Sequence, residues 1–156
     1  MKNNFKIGIV GLGYVGLPLA VEFAKKYPVV GFDINKVRVS DLHDGNDHTL
    51  EIDSSVLKHV NVKSYADLKS KNGFLATHDI KDLQECNFYI VTVPTPVDKL
   101  NRPILTPLIK ASETVATVLK KGDFVVYEST VYPGATEEDC LPILEQRSGL
   151  KFNKDF

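Results

Sequence analysis

Short runs of β-branched and aromatic residues alternate along the chain with longer stretches in which apolar residues recur every three or four positions. The first pattern suits buried strands and the second suits helices that cover a sheet. Their alternation predicts an α/β fold of the Rossmann type, a doubly wound parallel sheet with helices on both faces. Residues 5–10 read as a buried strand and residues 11–16 as the turn out of it. Residues 15–26 then read as a helix whose Val15, Leu19, Ala20 and Phe23 pack on the sheet, while Glu22, Lys25 and Lys26 meet water. Pro28 follows that helix, and residues 29–34 form a second apolar run carrying Asp33 near its end. Together these make one strand–helix–strand unit of about thirty residues, the usual size.

Further along, residues 35–44 look helical, and residues 45–51 (GNDHTLE) are polar and turn-rich. A helix is expected over 53–60, a short strand over 73–77, and a helix capped by Asp79 running to 85. Residues 88–93 (FYIVTV) form another buried strand, after which Pro94, Thr95 and Pro96 force the chain into a loop. Thr106 as cap and Pro107 as first helical residue open a helix whose stripe of Leu108, Val115, Val118 and Leu119 runs on to Lys121. Residues 124–127 are the next strand, with Glu128, Ser129 and Thr130 at its carboxyl end. Pro133 and Gly134 then turn the chain into a helix over 135–146, and the closing LKFNKDF is where a sixth strand is expected to begin.

Composition narrows the function. The chain's 156 residues, 43% of them hydrophobic, suit one domain, read as a single unit over 1–156. With 19 basic and 20 acidic residues, there is no cationic excess to point to nucleic acid or an acidic membrane surface. Cys86 and Cys140 lie far apart with no second cysteine or histidine at ligand spacing, so neither a metal site nor a disulfide framework is expected. His43, His48, His59 and His78 are scattered through polar stretches and read as surface residues. No stretch is apolar for long enough to be a signal peptide or a membrane span, and the expected location is the cytoplasm.

Candidate chemistry begins at Gly11, Gly13 and Gly16, which fit GxGxxG where a strand gives way to a helix. The first glycine permits the tight turn, the second lets the backbone approach a diphosphate, and the third lets the helix lie against the strand. Unpaired amides at the helix start, those of Tyr14 and Val15 among them, offer an anion site. Asp33, twenty residues beyond Gly13, is placed to accept both hydroxyls of an adenosine ribose and to repel a 2′-phosphate, which favours NAD over NADP. Arg38 weakens that preference: its guanidinium could neutralise a phosphate, grip the ribose or diphosphate, or simply be a solvated helix residue. Thr95 and Thr130 fall in the loops after the fourth and fifth strands, where either could hold a ribose, a carboxamide or a water, or serve only as a turn residue. Glu128 is read as a partly solvated structural acid rather than a general base.

Three segments carry a resemblance: GIVGLGYVGLPLA (8–20), VPTP (93–96) and ESTVYPGATEE (128–138) are similar to the UDP-glucose/GDP-mannose dehydrogenases, in the right order along nearly the whole chain. DHTLE (47–51) and VPTPVDKLNRP (93–103) further resemble the branch acting on UDP-N-acetylhexosamines for capsule, O-antigen or Vi-like polysaccharides. Such enzymes oxidise the sugar C6 alcohol to a carboxylate in two NAD-dependent hydride transfers, through a thiohemiacetal and a thioester on a cysteine. The resemblance implies that Val15, Asp33, Arg38 and Thr95 contact the dinucleotide and that Thr130 holds the nicotinamide side and the catalytic water. It also implies a UDP-sugar substrate and a homodimer for the longer enzyme. The family's nucleophilic cysteine and most of its sugar-binding residues match nothing in this chain, and Cys86 and Cys140 read as buried small hydrophobes. The chain is therefore expected to be the N-terminal part of a longer dehydrogenase, inactive by itself. A stand-alone NAD(H) sensor and a hydroxyacid or 6-phosphogluconate dehydrogenase are the alternatives. The sensor leaves the ESTVYPG loop without a purpose, and the other enzymes leave VPTP unexplained as well.

Overall fold

A computed structural model describes residues 5–69 and 71–156. Five strands, β1 (Ile7–Val10), β2 (Pro28–Phe32), β3 (Gly73–Thr77), β4 (Phe88–Val91) and β5 (Phe124–Tyr127), pair in parallel in the order β3-β2-β1-β4-β5. Ile7 of β1 sits opposite Val29 of β2 and Phe88 of β4, so the central strand is paired along both edges. A strand enclosed in this way must be apolar on both faces, and all four residues of β1 are buried.

Successive side chains go to opposite faces, and two cores result. On one face Ile7, Ile9, Val29, Phe74 and Ile90 pack with α1 (Gly16–Ala24), α2 (Lys36–His43) and α3 (Ser54–Val60), through Leu17, Val21, Leu42 and Leu57. On the other, Val10, Val30, Leu75, Tyr89 and Val91 pack with α4 (Tyr65–Leu68), α5 (Thr106–Ala116) and α6 (Leu141–Ser148), through Leu68, Leu108, Val115 and Leu144. This is the doubly wound architecture expected from the alternation of patterns. The chain winds β1 to β3 on one side and returns for β4 and β5 on the other. That opens a crevice at the carboxyl ends of β1 and β4.

Several boundaries differ from expectation. α4 was not foreseen; it is a single turn in which the Asp67 carboxylate accepts from the Ser64 amide and hydroxyl. The segment after Asp79 is a 3₁₀ turn over Ile80–Leu83 rather than a longer helix. Thr106 is the first residue of α5 and Leu105 its cap, one position earlier than expected. α5 stops at Ala116 although Val118 and Leu119 stay buried; the apolar stripe outlasts the helix because Asp123 accepts from the Lys120 amide and Gly122 takes a left-handed turn. The expected helix over 135–146 starts with a wide π turn, Thr136–Cys140, in which the Leu141 amide reaches back to the Thr136 carbonyl, next to Pro142, which has no amide hydrogen to give. No sixth strand begins at LKFNKDF. Residues 151–156 fold into turns instead, with the Asp155 carboxylate on the Lys151 amide and the Asp155 carbonyl accepting from Gly122.

Candidate functional site

The glycine-rich turn is built around close contact. Gly11 has φ +100° and donates its amide to the Phe32 carbonyl at 2.9 Å, tying the end of β1 to the end of β2. A Cβ on Gly16 would stand 1.9 Å from the Gly11 carbonyl oxygen and 2.5 Å from Thr92 Oγ1, so only glycine lets α1 start this close to β1. Thr92 donates its hydroxyl to that carbonyl at 2.7 Å from the end of β4. Gly13 is different: a Cβ there meets nothing within 4 Å, and the space above it is open. Among the described residues no backbone carbonyl accepts from the amides of Gly13, Tyr14 or Val15, and Tyr14 and Val15 are 70% and 54% exposed. Open space over free amides at a helix start is what an anionic diphosphate requires.

Asp33 stands just past β2, with its amide on the Thr77 carbonyl. Its carboxylate accepts from the Leu12 amide at 2.9 Å and from the Asn35 amide at 2.8 Å, so the acid faces the glycine-rich turn. Two backbone donors leave it further lone pairs for a diol. Gly11, Gly13 and Asp33 line one cleft of about 500 Å³, closed on the far side by Val93, Pro94 and the α5 residues Thr106, Lys110 and Thr114. Its size is that of a small-molecule site, and its walls are mostly apolar with a few convergent polar groups.

Arg38 does not line this cleft. Of the roles considered for it, the solvated one is corrected by the structure: the residue is 7% exposed, because α2 turns it inward under the loop. Its Nε donates to the Leu12 carbonyl at 2.9 Å, and its Nη1 lies 2.8 Å from Asp47 Oδ1 in a buried ion pair. Burial raises the Asp47 carboxyl, but the Thr49 hydroxyl and the Arg38 guanidinium outweigh it and hold it down at about 2.

Thr95 and Thr130 meet each other, although neither lines the cleft. Thr95 donates its hydroxyl to the Thr130 carbonyl at 2.5 Å, and Ser129 donates to the Val93 carbonyl at 2.7 Å, so the loops after β4 and β5 are stapled side by side. Thr130 itself is exposed. Glu128 is exposed too and shares a surface groove with Tyr14, Val15 and Glu51 on the opposite side of the turn. Cys86 and Cys140 are buried free thiols; burial pushes Cys86 up to about 12 and raises Cys140 in the same direction, which suits neither for nucleophilic work at neutral pH. Sequence reasoning missed Thr92, Lys110 and Asp47. Thr92 works through partners remote in sequence, Asp47 matters through its ion pair with Arg38 on the preceding helix, and Lys110 is one lysine among many until the sheet brings α5 over the cleft.

The family model described as the UDP-glucose/GDP-mannose dehydrogenase family, NAD binding domain, matches residues 5–156. The chain belongs to that family. It is 58% identical over 154 residues to a UDP-N-acetyl-D-glucosamine 6-dehydrogenase of Pseudomonas aeruginosa and 56% identical over the same length to one of Salmonella typhi. In both comparisons 99% of this chain and 34% of the relative are covered, so the chain spans about a third of the length of the curated relatives it matches. Among solved structures, a UDP-D-ManNAc dehydrogenase from Pyrococcus horikoshii superposes with a TM-score of 0.83 at 36% identity, covering 97% of this chain and 34% of that one. The cofactor of this domain family is NAD, and the cradle over Gly13 and the acid at Asp33 fit it.

Proposed function

We propose that this domain holds NAD for a nucleotide-sugar 6-dehydrogenase that converts the C6 alcohol of a UDP-N-acetylhexosamine, UDP-N-acetylglucosamine first among them, to the carboxylate. The observation that carries the reading is a cleft running from the glycine-rich turn to Asp33, in a chain aligned over almost its whole length with UDP-N-acetyl-D-glucosamine 6-dehydrogenases. In this reading NAD supplies the acceptor for each hydride, and two rounds with one water take alcohol to acid.

The residues of this chain bind and orient. Amides of Gly13, Tyr14 and Val15 take the diphosphate, Gly11 and Gly16 give the turn its shape, and the Asp33 carboxylate takes the adenosine ribose. Arg38 supports the same loop from behind through the Leu12 carbonyl. In this reading Thr95 and Thr130 set the nicotinamide side, and Thr130 holds the reacting water. A dinucleotide on this open surface needs an opposing wall to seat the sugar and exclude water. We assign that wall, and the nucleophilic cysteine, to the parts of the longer relatives that this chain does not cover, and the domain to the N-terminal part of such an enzyme. The reading extends to a homodimeric enzyme in the cytoplasm, where NAD and nucleotide sugars meet, supplying uronate units for capsule-type polysaccharide. Among the described residues no helix is long and apolar enough to cross a membrane.

Titration of the chain with NAD, NADP and UDP-N-acetylglucosamine tests the reading. NAD is expected to bind, NADP much more weakly, and the sugar nucleotide not at all in the absence of the rest of the enzyme. Strong sugar-nucleotide binding by this chain, or no binding of NAD, overturns it. Binding of NAD by the full-length protein with neither sugar dependence nor NADH formation points instead to a sensor.

A further inference from the structure

We propose that Asp47 keeps the site selective for NAD over NADP by holding the Arg38 guanidinium in the core, away from the ribose 2′ position. The inference rests on the cofactor reading above. It starts from Leu12, whose main chain is gripped on both sides of its Cα: its amide donates to the Asp33 carboxylate and its carbonyl accepts from Arg38 Nε, each at 2.9 Å. Leu12 thus stands between the cation and the acid that reads the ribose.

Asp47 opposes outward movement of that cation. The side chains of Arg38 and Asp47 are 8% and 1% exposed, and their charges face each other at 2.8 Å. The carboxylate is itself anchored, accepting from the Thr49 amide and hydroxyl at 3.0 and 2.7 Å and from the Glu51 and Ile52 amides at 3.0 and 3.1 Å. It cannot follow the arginine outward. Arg38 Nη1 and Nη2 are both buried without a hydrogen bond, the contact of Nη1 with Asp47 being an ion pair, so the guanidinium keeps donors that a phosphate could satisfy. The charge of Asp47 and the Leu12 carbonyl hold it inside, and of the two only Asp47 neutralises it. With the pair neutral as a unit, the charge at the ribose hydroxyls is the negative one of Asp33, and a 2′-phosphate there is repelled, with Lys110 on the far wall of the cleft. Without the Asp47 charge a buried guanidinium has no counter-ion, and a dianion at the neighbouring hydroxyl position becomes its best partner.

The test is a cycle of wild type, Asp47→Asn, Arg38→Gln and the double variant Arg38→Gln/Asp47→Asn, with NAD and NADP titrated calorimetrically at pH 8 and folding followed by circular dichroism. Asp47→Asn is expected to lower the ratio of NADP to NAD dissociation constants at least about tenfold, and the double variant to restore it to within about threefold of wild type. Loss of affinity for both cofactors with the ratio unchanged means that Asp47 only supports the loop, and overturns the proposal. Should Asp47→Asn not fold, Asp47→Ser, which also removes the charge, takes its place, with Arg38→Gln/Asp47→Ser as the double variant. A ratio at least about tenfold below wild type that returns when Arg38 is also replaced supports the proposal, and an unmoved ratio overturns it. Failure of wild type to bind either dinucleotide overturns the cofactor reading itself, a result distinct from NAD binding with an unmoved ratio.

Discussion

Gly13 and Gly16 belong to one motif but answer to different constraints, and alanine substitutions should separate them. At Gly16 the new Cβ would lie 1.9 Å from the Gly11 carbonyl oxygen. An ordinary carbon–oxygen contact is about 3.3 Å, so the strands of backbone must part by roughly 1.4 Å. The obstacle is main chain rather than a side-chain tip, which places the cost near the upper end of overpacking, about 3 kcal/mol. For a domain of this size each kcal/mol moves the midpoint by about 2–4 °C, so Gly16→Ala should melt roughly 6–12 °C below wild type. At Gly13 the Cβ meets no protein atom within 4 Å. Gly13→Ala should therefore keep the wild-type melting point to within about 3 °C, with a small gain from the stiffer unfolded chain. Its effect should fall on the ligand, since the methyl group occupies the space assigned to the diphosphate: NAD is expected to bind at least about tenfold more weakly, some 1.4 kcal/mol. Thermal melts and NAD titrations on both variants make the assay. The reasoning is refuted if Gly13→Ala binds NAD as wild type does, or if Gly16→Ala melts with it.

Other residues give further outcomes. Asp33→Asn should weaken NAD by about 1.5–3 kcal/mol, the worth of a hydrogen bond to a charged group, while narrowing the gap to NADP; an unchanged NAD affinity contradicts the ribose assignment. Asp47 is held at about 2 against an ordinary 3.8, so it contributes about 2 kcal/mol that is complete above pH 4 and lost as pH falls through about 2. The stability gap between wild type and Asp47→Asn, followed by denaturant melts, should accordingly close over that acid range and stay constant from pH 5 to 8. Cys86 and Cys140 should resist alkylation by iodoacetamide at pH 8 until the chain is unfolded, and rapid labelling of the native domain would contradict their burial.

Much of this was legible in the sequence because its signals are local. A β-branched run ending in GxGxxG can hardly be other than a strand leading into a helix, and β1, α1 and β2 lie within a few residues of the spans expected. The same holds for Asp33, whose place follows from the length of one strand–helix–strand unit. What stayed hidden depends on contacts across the sequence. Arg38 looks like a surface residue on a polar stretch until the loop of Asp47 folds beneath it. The stripe through Val118 and Leu119 has helical spacing, yet the Asp123 turn ends the helix first. The Ser64–Asp67 pair was a readable start signal for α4, at the spacing of a capping box, but one turn of helix carries too little periodicity to draw the eye. At the closing segment the apolar residues of LKFNKDF suggested a strand, whereas Asp155 on the Lys151 amide and Asn153 at φ 58° make a turn.

A crystal structure of the chain grown with NAD bears most directly on the central claim. The account predicts diphosphate oxygens within about 3.2 Å of the amides of Gly13, Tyr14 and Val15, with both ribose hydroxyls on the Asp33 carboxylate. Dinucleotide bound elsewhere, or a ribose beyond reach of Asp33, contradicts it.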